Sequence, residues 1–323
     1  MWYQVTTGFR QRRGAVVFAM VVHVIGASGR SGLALCRALA AAGIEFVPVV
    51  RNVPKWHEAG LPGAPGIADL ADPPALRRAL ADAHAVVSCA HARHAPAILA
   101  AAPRATRFVF LGSTRKFTRW PDRHADGVLA GEAAFRASGR PGVMLHPTMI
   151  YGAQGEDNVQ RLAALLRRLP VVPLPGGGRA LVRPIHQDDV TEAVRAALDV
   201  AWPASDSMVI AGAASVSYAD FVRAVAKAAG LRPPRIVGVP AGALRRLAPL
   251  TRIIPGVPTI RAGEIRRLME DKTFDIGPMQ RRLGVSPIGL DEGLARTFGA
   301  TTHLVQSRRD PRARHQPHRR FPQ

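Results

Sequence analysis

Short apolar runs alternate along the chain with longer segments of high helix propensity. The clearest run, residues 21–25 (VVHVI), has the length and composition of a buried parallel strand. Residues 33–42 (LALCRALAAA) follow without glycine or proline and predict a helix. A second apolar run, residues 44–50, predicts the next strand. This order is typical of a parallel sheet with helices on its faces.

The alternation continues through most of the chain. Further strands are predicted at residues 66–68, 84–90, 107–111, 143–146 and 208–211, and helices near residues 73–82, 158–169, 188–200 and 218–229. Residues 174–178 (LPGGG) are interpreted as a turn, because they are glycine-rich and lack the Lys-Ser/Thr of a phosphate loop. The pattern predicts an α/β fold with a doubly wound parallel sheet and a small, mostly helical C-terminal cap.

Three glycines spaced three apart, Gly26, Gly29 and Gly32, join the first strand to the first helix. They allow a sharp turn, close approach of a pyrophosphate and close packing of helix on strand, in that order. The helix N-terminus adds free N–H groups and a positive dipole end. We therefore predict a Rossmann-type dinucleotide site; an ordinary glycine-rich turn is the alternative. The predicted binding residues are Gly26, Ala27, Ser28, Gly29, Arg30, Ser31 and Gly32.

The G-x-x-G-x-x-G spacing resembles that of extended and atypical short-chain dehydrogenase/reductases, close to the NAD-dependent epimerase/dehydratase and NmrA-like groups. Residues 147–152 (PTMIYG) and 186–190 (HQDDV) resemble later segments of these families. The resemblance covers about residues 21–298. It implies an NAD(P)-binding domain with a substrate-binding cap, and often a homodimer.

The residue after the second predicted strand is Arg51, where binders of NAD often place an acidic residue. Together with Arg30 it suits a 2′-phosphate, so we predict NADP, with NAD as the alternative. Two solvated surface arginines are the other interpretation. Ala90 and His91 end a strand and should face the cofactor. The resemblance implies further contacts at Asp69 and Leu70 beside the adenine, and at Pro147, Thr148 and Met149 beside the nicotinamide.

The catalytic pair of the resembled families, Tyr-x-x-x-Lys on a helix, is predicted to be absent. Glu132 resembles a later glutamate of that helix, which places His124 at the tyrosine position and Val128 at the lysine position. An imidazole titrates near neutrality, so His124 is a candidate proton carrier. A loop residue before the helix is the alternative.

Ser113 and Thr114 follow the strand at residues 107–111. The resemblance implies that they hydrogen-bond a substrate hydroxyl or carbonyl, whereas a helix cap or turn is the alternative role. His91 and His94 lie three apart without a third ligand nearby, so we predict no metal site.

Composition and charge limit the classes of partner and the cellular environment that the chain suggests. The net charge of +21 invites a nucleic-acid function, but only 6% of the residues are aromatic, and no basic stripe interleaves with aromatic residues. We therefore expect no nucleic acid, although a basic surface favours anionic ligands or anionic membrane surfaces. Two cysteines in predicted core elements indicate a reducing, cytoplasmic environment. No apolar run approaches the ~20 residues that span a bilayer.

The predicted organisation has four parts. Residues 1–19 are interpreted as an extension upstream of the native start, and residues 20–200 form the cofactor domain. Residues 201–300 form the cap, together with inserted parts of residues 147–185, and residues 301–323 are a disordered basic tail.

Two classes of function remain. The first is an NADP-linked reductase or epimerase-like enzyme acting on a small molecule, a nucleotide-sugar or a carbonyl compound. The second is a non-catalytic dinucleotide-binding protein, either a redox sensor or an assembly partner. The cap and the Ser113–Thr114 pair favour the first class, and the missing Tyr–Lys pair favours the second.

Overall fold

The computed structural model describes residues 21–152, 158–247 and 262–309 of the chain. Strands and helices alternate in its first part as the sequence predicts. These elements are β1 (Val22–Ile25), α1 (Arg30–Ala41), β2 (Phe46–Val50), α2 (Val53–His57), β3 (Gly66–Ile67), α3 (Pro73–Ala79), β4 (Ala85–Ser88), α4 (Ala95–Ala101), β5 (Arg107–Leu111), α5 (Arg123–Ala137) and β6 (Gly142–Pro147).

The second part mixes short strands with helices. Its elements are β7 (Ile150–Tyr151), α6 (Asn158–Leu166), β8 (Val171–Pro175), β9 (Leu181–Val182), β10 (Ile185–His186), α7 (Gln187–Asp199), β11 (Ser205–Ile210), β12 (Val216–Ser217), α8 (Tyr218–Ala228), β13 (Arg235–Val239), α9 (Ala241–Leu247), α10 (Ala262–Arg267), α11 (Gly277–Leu283) and α12 (Leu290–Arg309).

Seven strands form one parallel sheet in the order β11–β6–β5–β4–β1–β2–β3. The chain runs outward from β1 to β3 on one side, and then crosses to β4 on the other side of β1. Strand order therefore reverses between β1 and β4, where open α/β sheets bind ligands at the carboxyl ends of their strands. The predicted doubly wound, Rossmann-type fold is confirmed.

Helices cover both faces of this sheet. On one face α1, α7 and α11 pack against the strands, with Leu35 and Val194 fully or almost fully buried. On the other face α3, α4 and α5 do the same through Leu76 and Phe135. Apolar side chains on both faces explain why the central strands have continuous apolar sequences rather than alternating ones.

The cap has its own core, to which α6, α8 and α12 contribute Val159, Phe221 and Leu294. It also contains the two-stranded ladders β7–β10, β8–β13 and β9–β12. The helical C-terminal portion is confirmed, with these short ladders added to it.

Three sequence predictions differ in part from the structure. The supposed turn at residues 174–178 is the end of β8 followed by a 3-10 turn at Gly176–Gly178, and β8 pairs with β13. Prolines in β8 hide the strand pattern, because prolines are tolerated only at sheet edges or bulges. The cap does not begin at residue 201, because β11 pairs with β6 and extends the large sheet.

The third correction concerns the tail. Helix α12 continues to Arg309, into the segment predicted to be disordered. The remaining tail residues, and the predicted extension at residues 1–19, lie outside the described residues.

Candidate functional site

The glycine turn closes tightly over the start of α1. Gly26 has a φ of +75°, and its carbonyl accepts a hydrogen bond from the N–H of Gly29 at 2.8 Å. A Cβ on Gly32 would lie 2.2 Å from the Gly26 oxygen, so the helix and the turn touch backbone to backbone. Helix α1 begins at Arg30, three residues before the predicted start, which places Arg30, Ser31 and Gly32 in its first turn.

Two other residues of the turn are engaged within the protein. Ala27 is fully buried, so its side chain is not available to a ligand. The Ser31 hydroxyl donates to Gln187 Oε1 on α7 at 2.9 Å. Ser28 is half-buried between them. The turn therefore offers a ligand mainly backbone groups, as pyrophosphate binding at a helix N-terminus requires.

Arg51 and Asp69 meet at the carboxyl ends of β2 and β3. Arg51 Nη1 lies 3.7 Å from Asp69 Oδ2, and the Arg51 side chain is 81% exposed. Asp69 Oδ1 accepts the N–H of Ala71 at 2.9 Å, and Leu70 packs against the core beneath. An exposed ion pair of this kind is held weakly, so either partner can turn to a ligand.

Ala90 and His91 follow β4. The Ala90 nitrogen would be 3.4 Å from a Cβ on Gly26, so this strand end lies directly against the glycine turn. His91 Nδ1 accepts the N–H of Arg93 at 3.1 Å, while its Nε2 is buried and has no hydrogen-bond partner among the described residues. The His91 ring meets His124 edge to face, with centroids 4.3 Å apart.

His124 belongs to α5 and not to a preceding loop. Asp122 caps this helix, and its Oδ1 accepts the N–H groups of His124 and Ala125, each at 3.1 Å. Burial and the nearby Arg115 lower the pKa of His124. Burial and His124 lower the pKa of His91 to about 4. Both rings are therefore neutral near pH 7, and can accept a proton.

Ser113 and Thr114 lie at the carboxyl end of β5. Ser113 Oγ accepts the N–H of Arg115 at 3.2 Å, so the predicted cap role is real and leaves the hydroxyl proton available. The Thr114 hydroxyl donates to the carbonyl of Pro147 at 3.2 Å, which leaves its oxygen lone pairs as acceptors. The pair therefore offers a ligand one donor and one acceptor.

A cavity of about 880 Å³ opens beside this pair. Thr148 and Met149, which follow β6, line it together with Ser113 and Thr114. The Thr148 hydroxyl donates to the Arg183 carbonyl at 2.5 Å, so this side chain is fixed. The volume is within the range of pockets that take small molecules and cofactors.

The lining of the cavity is strongly basic. Its cationic lining residues are Arg115, Arg119, Arg245, Arg266, Arg267 and Lys272. The Glu270 carboxylate on the same wall accepts hydrogen bonds from the Thr118 hydroxyl and the Arg119 N–H. Asp271 accepts the N–H of Leu181 at 2.8 Å. Because cations outnumber these two carboxylates, the cavity favours an anionic ligand.

Sequence reasoning missed a buried ion pair behind the cavity. Lys116 Nζ lies 2.5 Å from Glu132 Oε2 and 3.2 Å from His146 Nε2. Burial acts to raise the pKa of Glu132, but hydrogen bonds from Lys116 and Ser207 outweigh it, and the pKa lies below its ordinary value. Burial, then Lys116, lowers the pKa of His146 to about 4. One signal was present: Lys116 is a rare lysine in a chain that otherwise uses arginine.

The predicted site residues therefore share the carboxyl edge of one sheet, with Arg51 and Asp69 toward one end and Ser113 and Thr148 toward the other. The strand order explains this placement, since the glycine turn after β1 lies between them. Among the described residues no group of three or more histidine, cysteine or acidic side chains is arranged to hold a metal ion.

Residues 26–150 match the model of a protein family described as NAD(P)H-binding. The matched segment runs from the glycine turn after β1 to the start of β7. This match agrees with the predicted resemblance, and solved structures of an epimerase and of a reductase share the fold. No curated protein is significantly similar to the chain.

Several solved structures share the fold. UDP-glucuronic acid 4-epimerase from Bacillus cereus, in complex with UDP-glucuronic acid and NAD, is 16% identical with a TM-score of 0.67, covering 88% of this chain and 100% of its own. MoeE5 in complex with UDP-glucose and NAD is 21% identical with a TM-score of 0.65. The match covers 88% of this chain and 99% of MoeE5. The NADPH-dependent quinone oxidoreductase QOR2 from Escherichia coli, complexed with NADPH, is 16% identical with a TM-score of 0.66. The match covers 86% of this chain and 99% of QOR2.

At these identities the likeness shows the fold alone. The epimerase and MoeE5 structures contain NAD, and the QOR2 structure contains NADPH. Within the part of the chain that the structure describes, no helix is both long and apolar enough to cross a membrane.

Proposed function

We propose that the chain is an NADP-linked oxidoreductase or epimerase-like enzyme acting on a small carbonyl compound or nucleotide-sugar in the cavity. One observation carries this proposal. The cavity reaches Ser113, Thr114, Thr148 and Met149 at the ends of β5 and β6, on the same sheet edge as the glycine turn. A dinucleotide bound at the turn and extending along this edge would bring its nicotinamide to the cavity.

The cofactor contacts follow from this arrangement. The N–H groups at the start of α1 would hold the pyrophosphate, and Gly26 and Gly32 keep side chains away from it. Ala90 and His91 would lie under the middle of the dinucleotide. Arg51 would turn from Asp69 to a 2′-phosphate, because an exposed ion pair costs little to break.

The residues beside the cavity would bind and polarise the substrate. Ser113 can donate its hydroxyl proton to a carbonyl oxygen, and Thr114 can accept from a hydroxyl. A bound nicotinamide would supply or accept the hydride. His124 is the candidate proton carrier; its lowered pKa suits a base more than an acid near neutral pH.

A non-catalytic dinucleotide-binding protein is the second candidate, and α5 supports it. This helix contains neither tyrosine nor lysine, and Val128, at the expected lysine position, is buried in the core. In this case the domain would sense the redox state of the cofactor or bind another protein.

Titration of the purified protein with NADPH and NADH, followed by ligand fluorescence, tests the cofactor assignment. NADPH should bind more tightly, and Arg51→Ala should weaken its binding by about tenfold or more, as loss of a charged hydrogen bond implies. Arg223→Ala is the matched control, because it removes the same charge from an ion pair on α8. Equal binding of both nucleotides would contradict the 2′-phosphate assignment.

Turnover separates the two candidates. If the protein oxidises NADPH in the presence of carbonyl compounds, and if Ser113→Ala lowers the rate of this oxidation, the enzyme is supported. Tight NADPH binding without turnover of nucleotide-sugars or carbonyl compounds would favour the sensor. His124→Asn with unchanged turnover would exclude His124 as the proton carrier.

A further inference from the structure

Lys116, Glu132 and His146 form a buried cluster behind the cavity floor. They come from the 3-10 turn at Thr114–Phe117, from α5 and from β6, and their side chains are 10%, 8% and 1% exposed. None of the three belongs to the described lining of the cavity. The three side chains can therefore influence a ligand in the cavity only through a residue that lines it.

The cluster is connected to the cavity by one hydrogen bond. His146 Nδ1 accepts the backbone N–H of Ser113 at 3.2 Å. The neutral ring must then carry its hydrogen on Nε2, which faces Glu132 Oε2 at 3.3 Å. The Lys116 ammonium donates to the same carboxylate oxygen, and its Nζ lies 3.2 Å from Nε2. Since an ammonium has no acceptor, Lys116 and the Nε2–H group share Glu132 Oε2 as their acceptor and do not bond each other. A continuous path therefore runs from Lys116 through Glu132 and His146 to the backbone of Ser113.

Packing couples the ring to the turn as well. A Cβ on Gly112 would lie 2.3 Å from His146 Nδ1, so the ring rests directly on the backbone that leads into Ser113. On the other side of this strand end, the Thr114 hydroxyl bonds the carbonyl of Pro147, the residue after His146. A rotation of the His146 ring would therefore disturb the turn that presents both hydroxyl groups.

The second oxygen of the glutamate is held separately. Glu132 Oε1 accepts from the Ser207 hydroxyl at 2.8 Å and from Arg136 at 3.1 Å. With both oxygens hydrogen-bonded, the carboxylate has a fixed orientation. Desolvation offsets much of the attraction in a buried ion pair, so such a pair contributes little net stability. Its geometry fixes the carboxylate oxygen that His146 Nε2 faces.

We propose that Lys116 and Glu132 are positioning residues that hold His146 as the Nε2–H tautomer, so that the ring fixes the Ser113–Thr114 turn at the cavity. The use of that turn in binding a substrate rests on the proposed function, whereas the hydrogen-bond path does not. Lys116 thus acts near the reaction site without touching a substrate or cofactor.

Nitrogen NMR of the histidine rings tests the proposal, with the His146 signal assigned through His146→Asn. In the unaltered protein the ring should be the Nε2–H tautomer at neutral pH, and the Ser113 amide should exchange slowly with solvent. In Glu132→Gln and in Lys116→Met the ring should lose this single tautomer. The Ser113 amide should then exchange about tenfold faster, the effect of one lost hydrogen bond.

Two further variants make the result specific. Arg136→Gln removes a partner of the other carboxylate oxygen and should leave His146 and Ser113 unchanged. Lys116→Arg keeps the charge and should restore the tautomer that Lys116→Met loses. If Glu132→Gln fails to fold, the comparison of the two Lys116 variants still tests whether the positive charge at residue 116 maintains the His146 tautomer.

The proposal is overturned if the ring carries its hydrogen on Nδ1. It is also overturned if Lys116→Met changes neither the His146 ring-nitrogen signals nor the exchange rate of the Ser113 amide. Neither readout needs a cofactor or a substrate. A protein that binds no NADPH but shows the predicted tautomer would therefore refute the proposed function alone.

Discussion

Gly32 shows how a missing side chain shapes the candidate cofactor site. The start of α1 can approach the turn only because no Cβ stands between Gly32 and the Gly26 oxygen. The contact is with backbone, which cannot move aside as a flexible side chain can.

Gly32→Ala should therefore destabilise the protein by about 1–3 kcal/mol, the usual cost of overpacking. It should also weaken NADPH binding, because the turn must open where the pyrophosphate would lie. Denaturant unfolding and the nucleotide titration measure the two effects.

Gly299→Ala is the control. This glycine lies inside α12, and a Cβ there would have no atom within 4 Å. Alanine should therefore stabilise the helix by about 0.5–1 kcal/mol. Equal effects of the two substitutions would contradict the steric argument at Gly32.

At the scale of elements, α12 contributes to the core of the cap. Its residue Leu294 is fully buried in the cap core with Phe221 and Val222 of α8. This contact joins the last described helix to a helix more than sixty residues earlier in the chain.

Leu294→Ala should lower the free energy of unfolding by about 2–5 kcal/mol, because it leaves a cavity in that core. Leu129→Ala on α5 is the matched control: Leu129 is 47% exposed, and the change should stay within about 0.5 kcal/mol. Chemical unfolding of both variants makes the comparison. Similar losses would mean that α12 does not anchor the cap.

For the whole molecule, the buried histidine couples stability to pH. Burial and Lys116 lower the pKa of His146 to about 4, below its ordinary value of 6.5. Between these two values the unfolded chain binds more protons than the folded one, so stability rises with pH. His91 shifts in the same direction.

We expect stability to fall by up to about 3 kcal/mol through His146 as the pH drops from 6.5 to 4. His146→Asn should flatten the curve in this window, whatever its effect on stability at pH 7. Unfolding measured at several pH values tests this. An unchanged slope in the variant would show that His146 titrates normally in the folded protein.

The sequence by itself determined the architecture and the place of the glycine turn. Apolar runs of strand length between helical segments predicted the doubly wound sheet, and the glycine spacing marked the turn after β1. These features are local: burial on both faces requires a continuous apolar strand, and the turn at Gly26 requires a positive φ. The prolines of β8 hid a strand for an equally local reason.

Only the tertiary structure decided which side chains meet. The partners of Lys116 lie 16 and 30 residues away, and Arg51 meets Asp69 only because β3 pairs with β2. His91 and His124 likewise face each other across two different elements. Parallel strands bring their carboxyl ends to one edge of the sheet, but no local pattern encodes which side chains turn toward one another there. That choice depends on packing between elements distant in the chain.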